Sequence, residues 1–165
     1  MSRYLNKQLA TEARRGRLDR VEELLAKGAD LNKLASNGNT TLMSAAYAGH
    51  YDVVQSLLQH GADPNVTAND GASALFWACI REHEPVAELL IAAGADVKAK
   101  RDSDYSVLNA AISHGSLALV ESLIKAGASL DHRWLKMDIL QYAEWCERHD
   151  LIPLLKSKRW RRIRR

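Results

Sequence analysis

A chain of 165 residues with 47% hydrophobic and 26% charged side chains is long enough for one sizeable core, which excludes a disordered or fibrous protein. Aromatics at 6% leave that core to Leu, Ala, Val and Ile, and two cysteines, Cys79 and Cys146, exclude a disulfide framework. The net charge of +3 is uneven: seven of the 23 basic residues fall in residues 156–165, leaving 16 basic against 20 acidic, a net of −4, in residues 1–155. A uniformly nucleic-acid-coating surface is thereby excluded, and any such role is confined to the tail. Both cysteines sit in stretches that read as helix and are expected as free thiols. No apolar run reaches the roughly 20 residues of a membrane span. Residues 1–7 place no apolar stretch behind their charge, so no secretory signal is expected and the protein is expected in the cytoplasm.

In chain order, the first segment, 9–32, contains Arg14-Arg15-Gly16 and Ala26-Lys27-Gly28-Ala29-Asp30. The second, 37–65, shows the logic of a unit most clearly. Asn37-Gly38 is a turn signal, because glycine accepts a positive φ. Thr40 suits a helix N-cap, and Leu42, Ala45 and Ala46 form the i, i+3, i+4 stripe of a short helix ending near Gly49. Asp52 opens a second helix with Val53, Val54, Leu57 and Leu58 apolar, which Gly61 stops. The pattern then recurs. Gly-Ala stands at 28, 61, 94 and 127; the aliphatic pairs Leu24-Leu25, Leu57-Leu58, Leu90-Ile91 and Leu123-Ile124 keep the same 33-residue step, as do Leu9, Leu42, Leu75 and Leu108. Helices this short are unstable alone, so stacked neighbours must supply the core.

These columns resemble ankyrin repeats, which pair a β-turn with two antiparallel helices in 33 residues. The resemblance implies an all-α solenoid of about five units over 1–155. The N-terminal cap spans 5–35, three internal copies span 36–68, 69–101 and 102–133, and a degenerate C-terminal cap spans 134–155. A basic tail, 156–165, follows. The family's Thr-Pro-Leu-His opening stands here as Thr40-Thr41-Leu42-Met43, Ser73-Ala74-Leu75-Phe76 and Ser106-Val107-Leu108-Asn109, with Leu and a hydroxyl kept and Pro and His lost. Only Gly49-His50 keeps the family's Gly-His. Glu82-His83 puts a non-glycine residue where a left-handed conformation is expected, at a cost on the order of 1 kcal/mol, unless the loop differs there.

No chemistry-bearing motif is visible: no phosphate loop, no His-Glu-x-x-His, no Cys-x-x-Cys and no Gly-x-Ser-x-Gly. His50, His60 and His83 read as structural or solvent-facing, and His132, Cys146 and His149 match no zinc spacing. The protein is therefore expected to be non-catalytic, with no cofactor, metal or small-molecule substrate. What the resemblance implies instead is a concave face, made of the turn tips and the exposed side of each first helix, that binds one protein partner. Those positions hold Arg14, Arg15, Asn39, Tyr47, Arg81, Tyr105, His114 and Trp145, with Ser36, Asn37, Ala72 and Ser103 beside them. Arginine and aromatic side chains of this kind dominate interface hot spots. Trp77 has two readings, anchor or packing against the next unit, and Trp145 has two, hot spot or cover for the core. Tyr47, Arg81 and Tyr105 are expected to be replaceable together at little cost in stability. The resemblance extends to small stand-alone arrays that act as adaptors or inhibitors, including immunity proteins that neutralise a toxin. For the tail, with Trp160 and Ile163 among its basic residues, a solvated end, a nuclear-localisation-like stretch and a site for an acidic partner, a membrane surface or nucleic acid all stand.

Overall fold

The computed structural model describes residues 2–35, 38–131 and 133–163. Helices alternate along the chain: α1 (Ser2–Arg14), α2 (Leu18–Ala26), α3 (Thr41–Ala48), α4 (Tyr51–Gln59), α5 (Ala74–Ile80), α6 (Glu84–Ala92), α7 (Val107–His114), α8 (Leu117–Lys125), α9 (Ile139–Trp145) and α10 (Ile152–Ile163). A two-residue antiparallel pair, β1 (Lys100–Arg101) with β2 (Tyr105–Ser106), stands before α7. Helices α1, α3, α5, α7 and α9 pack side by side in one layer, and α2, α4, α6 and α8 form a second layer behind it. The basic segment 156–165 has a backbone that continues α10 as far as Ile163. Its side chains from Arg159 onward, Trp160 and Ile163 included, lie outside the described residues.

The repeated columns become repeated places in the stack. Leu9, Leu42, Leu75 and Leu108 are buried, as are Leu24, Leu57, Leu90 and Leu123. Their neighbours Leu25, Leu58, Ile91 and Ile124 are all half-buried against the same core. Ala45 and Ala46, Ala78 and Cys79, and Ala111 and Ile112 are shut away between helices, where small side chains let the backbones approach. Burial pushes the Cys79 thiol up to about 12, so it packs as a neutral group. The retained hydroxyls act as N-caps: Thr40, Ser73 and Ser106 accept from the backbone N–H of Met43, Phe76 and Asn109 at 3.1–3.2 Å. Asp138 does the same for α9.

Two kinds of polar strap join neighbouring units. Along the loops, the side-chain oxygens of Asn6, Asn32 and Asn65 accept from the backbone N–H of Asp30, Asp63 and Asp96 at 2.7–2.9 Å. Between helix pairs, His50 Nε2 donates to the Arg14 carbonyl at 3.0 Å and His83 Nε2 to the Tyr47 carbonyl at 3.1 Å. Each imidazole lies on a glycine of the previous unit. A Cβ on Gly16 would stand 2.6 Å from the His50 ring, and one on Gly49 would stand 2.5 Å from His83. Both glycines also have φ near +75° (72° and 77°), so the imidazole packs where a residue without a Cβ stands.

At the next junction the pair is lost on both sides. Ser116 replaces the histidine and caps its own helix instead, accepting from Leu119 N–H. Glu82, in the glycine's place, keeps the left-handed backbone with φ 60° and so resolves the alternatives left by the sequence. No ring from the following unit presses on it, which is why a side chain fits there. The strain remains. Glu82→Gly is expected to stabilise the protein by roughly 0.5–1 kcal/mol, raising the melting midpoint by about 1–4 °C for a domain of this size. A thermal melt checks this; an unchanged or lower midpoint contradicts it. At the last junction Arg148 replaces histidine as the strap, its Nη1 donating to the carbonyls of Ile112 and Gly115 at 2.8 Å each. Asp150 holds the same guanidinium, and that hydrogen bond keeps the Asp150 carboxyl below the usual carboxylate range.

Candidate partner-binding face

Along the first-helix layer, aromatic side chains from successive units come into contact. Tyr47 comes from the last turn of α3, Phe76 and Trp77 from the middle of α5, Tyr105 from β2, Trp134 from the loop before α9, and Tyr142 and Trp145 from α9. Their rings form a connected row across successive units. Centroid separations are 5.4 Å for Tyr47–Trp77, 5.7 Å for Trp77–Phe76, 5.8 Å for Phe76–Tyr105, 4.7 Å for Tyr105–Trp134 and 6.4 Å for Trp134–Trp145. Most of these pairs are edge-to-face, the arrangement favoured by the ring quadrupole.

Arginines lie along the row. The Arg81 guanidinium sits 4.8 Å from the Tyr47 ring centre and that of Arg14 sits 5.8 Å from it. Arg101 lies 5.3 Å from Trp77 and 5.7 Å from Phe76, with its Nε donating to Asp70 at 2.7 Å. Each such contact contributes on the order of 0.5–1 kcal/mol at an exposed site. Together they hold long, flexible cations in fixed positions.

The structure brings together four of the residues singled out in the sequence. Arg14, Asn39, Tyr47 and Trp77, with Ser44, line one cleft of about 130 Å³. Arg81 stands beside it through Tyr47. Arg15 is exposed but turned to Glu12, 3.2 Å away. His114, at the end of α7, is exposed and belongs to neither the ring row nor the cleft. Trp145 is 63% exposed and stacks on Tyr142 at 5.9 Å, so it both covers the core and offers a surface. Trp77 packs edge-to-face on Tyr47 of the preceding unit, as its packing reading has it, and also lines the cleft.

Tyr105 departs from expectation. It is half-buried, and its hydroxyl shares hydrogen bonds with Ser113 Oγ at 2.8 Å and with the buried Tyr142 hydroxyl at 3.0 Å. Three other rings contact it, so it joins units instead of standing free, and it cannot be replaced with Tyr47 and Arg81 at no cost in stability. Ala72, placed by the sequence on the exposed row, is fully buried, because the hairpin from the next unit closes over this loop and puts the Lys100 carbonyl against Gly71. Ser36, Asn37 and the side chain of Ser103 lie outside the described residues.

Arg101, Trp134 and Ser44 were missed by sequence reasoning. Arg101 had a readable signal, since its place one and two periods earlier is held by Ala68 and Ala35. Among the described residues no group of three His, Cys, Asp or Glu side chains is placed to hold a metal ion. Nor is any helix there long and apolar enough to cross a membrane.

A family model described as ankyrin repeats matches residues 9–101 in three copies, more than half of the chain. The matched segment ends at Arg101, next to the junction where the histidine–glycine strap is lost. No curated protein matches the chain significantly.

Proposed function

The chain belongs to the ankyrin repeat family, whose members are generally protein–protein interaction modules and typically non-catalytic, and from that premise we propose that its first-helix face captures one partner protein. The observation that carries this reading is the row of contacting rings with guanidinium groups laid on it. Tyr, Trp and Arg are the residue types that most often dominate binding energy at interfaces. Ring contacts and cation–π contacts hold them in place before a partner arrives, which lowers the entropy lost on association. The arginines favour a partner with an acidic segment. Such a rigid surface acts by blocking or by recruiting, as an inhibitor or adaptor does. An immunity protein is the case in which the captured partner is a toxin encoded alongside it.

The test uses two exposed residues, Trp145 at the end of the row and Arg81 beside it. Arg81→Glu combined with Trp145→Ala is expected to cut partner capture from native lysate at least tenfold. Both side chains are mostly exposed, so the melting midpoint should move little. Capture undiminished at an unchanged melt would place the interface elsewhere, on the second-helix layer or on the basic segment 156–165. Truncation after Leu155 separates those two, since binding through the basic segment would be salt-sensitive and would disappear with it.

A further inference from the structure

The joints between units are not fastened alike. The first two carry both kinds of strap. His50 and His83 reach back to the carbonyls of Arg14 and Tyr47, while Asn32 and Asn65 hold the backbone N–H of Asp63 and Asp96. Asn65 also donates from Nδ2 to the Gly94 carbonyl at 3.2 Å. The joint between 69–101 and 102–133 has neither strap. Ser116 stands one period after His83, and Lys98 stands one period after Asn65. A lysine ammonium has no acceptor atom, and the Ser116 hydroxyl is engaged with its own helix.

The polar fastening of this joint lies instead in the turn before α5, at Asp70. Its carboxylate accepts from Arg101 Nε at 2.7 Å, and its carbonyl accepts from the Asp102 N–H at 2.8 Å. The joint after it is closed again. Arg148 spans to the carbonyls of Ile112 and Gly115, and the Tyr105 hydroxyl meets that of Tyr142. The last two units are therefore tied to each other by polar bonds that the third and fourth lack.

In a stacked array, stability is close to a sum over units and joints, so opening starts at the weakest joint. The three units before this joint are the ones that match the ankyrin model, and three repeats are about the fewest that stand alone. The two after it fall short of that number. We propose that the chain is two cooperative bodies, and that the last two units detach at this joint and unfold as one piece while the first three stay folded. The row of rings crosses the joint at Phe76 and Tyr105, with Arg81 before it and Trp145 after it. Detachment takes that face apart, whether or not the face captures a partner.

Hydrogen–deuterium exchange of the full chain, under conditions where reclosing outpaces exchange, tests this. Amides of α7, α8 and α9 are expected to share one opening equilibrium, at least about tenfold more populated than that of α3–α6, with the step between α6 and α7. Two buried valines then label the bodies, Val54 in α4 and Val120 in α8. Val54→Ala weakens the folded and the half-open states equally, so it should speed exchange in α3 and α4 at least about threefold and leave α7–α9 unchanged. Val120→Ala should speed both groups by the same factor. Lys98→Asn restores the loop strap and should slow α7–α9 about fivefold. Adding Glu82→Gly and Ser116→His, which aims an imidazole at the Ile80 carbonyl, should slow them further. A step between α8 and α9, equal protection in α5 and α7, or a response of α7–α9 to Val54→Ala equal to that of α3 and α4 overturns the proposal. So does exchange in α7–α9 that ignores Lys98→Asn, because the missing straps are then not what weakens the joint.

Discussion

Ala46→Asp is expected to destabilise the protein by about 4 kcal/mol or more, a large part of the roughly 5–15 kcal/mol that holds a domain together. Ala46 is 0% exposed in α3, which packs against α1, α4 and α5. A carboxylate there loses its water and meets no cation, so it takes up a proton in the folded state before it would do so in the unfolded chain. The sign of the pH dependence follows. A carboxyl whose folded pKa is raised binds more protons in the folded protein, so its penalty is smallest below the unfolded value near 4 and grows as pH rises through the folded one. Urea unfolding at pH 4 and pH 7 should therefore show a larger deficit at pH 7. Ala46→Asn, which crowds the site without a charge, should show the same deficit at both. Near-wild-type stability of Ala46→Asp would mean that the helices do not close on this position, and the stacked-pair architecture would fall with it.

The second large effect is expected at Tyr105. Tyr105→Ala should cost about 3 kcal/mol, from lost ring packing and a lost hydroxyl network. The ring fills space between Phe76, Trp134 and Tyr142, and its hydroxyl is held by Ser113 and Tyr142. Tyr142 is only 2% exposed, and burial pushes its phenol well above the usual range, so its hydroxyl stays neutral and depends on such partners. Tyr105→Phe keeps the ring and should recover about half of the loss. Chemical denaturation of the two variants measures both parts. A Tyr105→Ala protein within about 0.5 kcal/mol of wild type, the range of ordinary surface substitutions, would return this residue to the free surface. A capture assay on a variant containing Tyr105→Ala would confuse lost binding with lost folding, which is why Arg81 and Trp145 are the better probes.

The architecture was open to reading because it is written in spacing. Leucine at 9, 42, 75 and 108, and the aliphatic pairs before each Gly-Ala, recur because each helix pair must bury the same stripe against its neighbours. A period of 33 is visible without any knowledge of contacts. The cap at Thr40 was readable for a similar local reason, since it bonds a backbone group three residues away, and the hydroxyls kept at Ser73 and Ser106 do the same. His50 was assigned its structural place by resemblance, but its bond to the Arg14 carbonyl spans 36 residues and is visible only in the fold. The same holds for the joint loss of histidine and glycine at Ser116 and Glu82, where two substitutions far apart in sequence meet in one contact.

The resemblance to ankyrin repeats placed Arg14, Asn39 and Tyr47 on one face and left Trp77 between two readings; the structure gathers all four at one cleft. Residue type and register could not say which of those side chains meet. Tyr105 reads as a turn-tip residue along the chain, yet it is half-buried among Phe76 of the preceding unit and Trp134 and Tyr142 of the following one. Ala72 reads as exposed and is sealed by a hairpin from the following unit. The cleft belongs to this second kind of information. Its walls come from α1, the turn before α3, α3 itself and α5, segments that meet only in the folded stack. Periodicity specifies a surface, whereas the burial and pairing that give it chemistry depend on distances between units that no local pattern encodes.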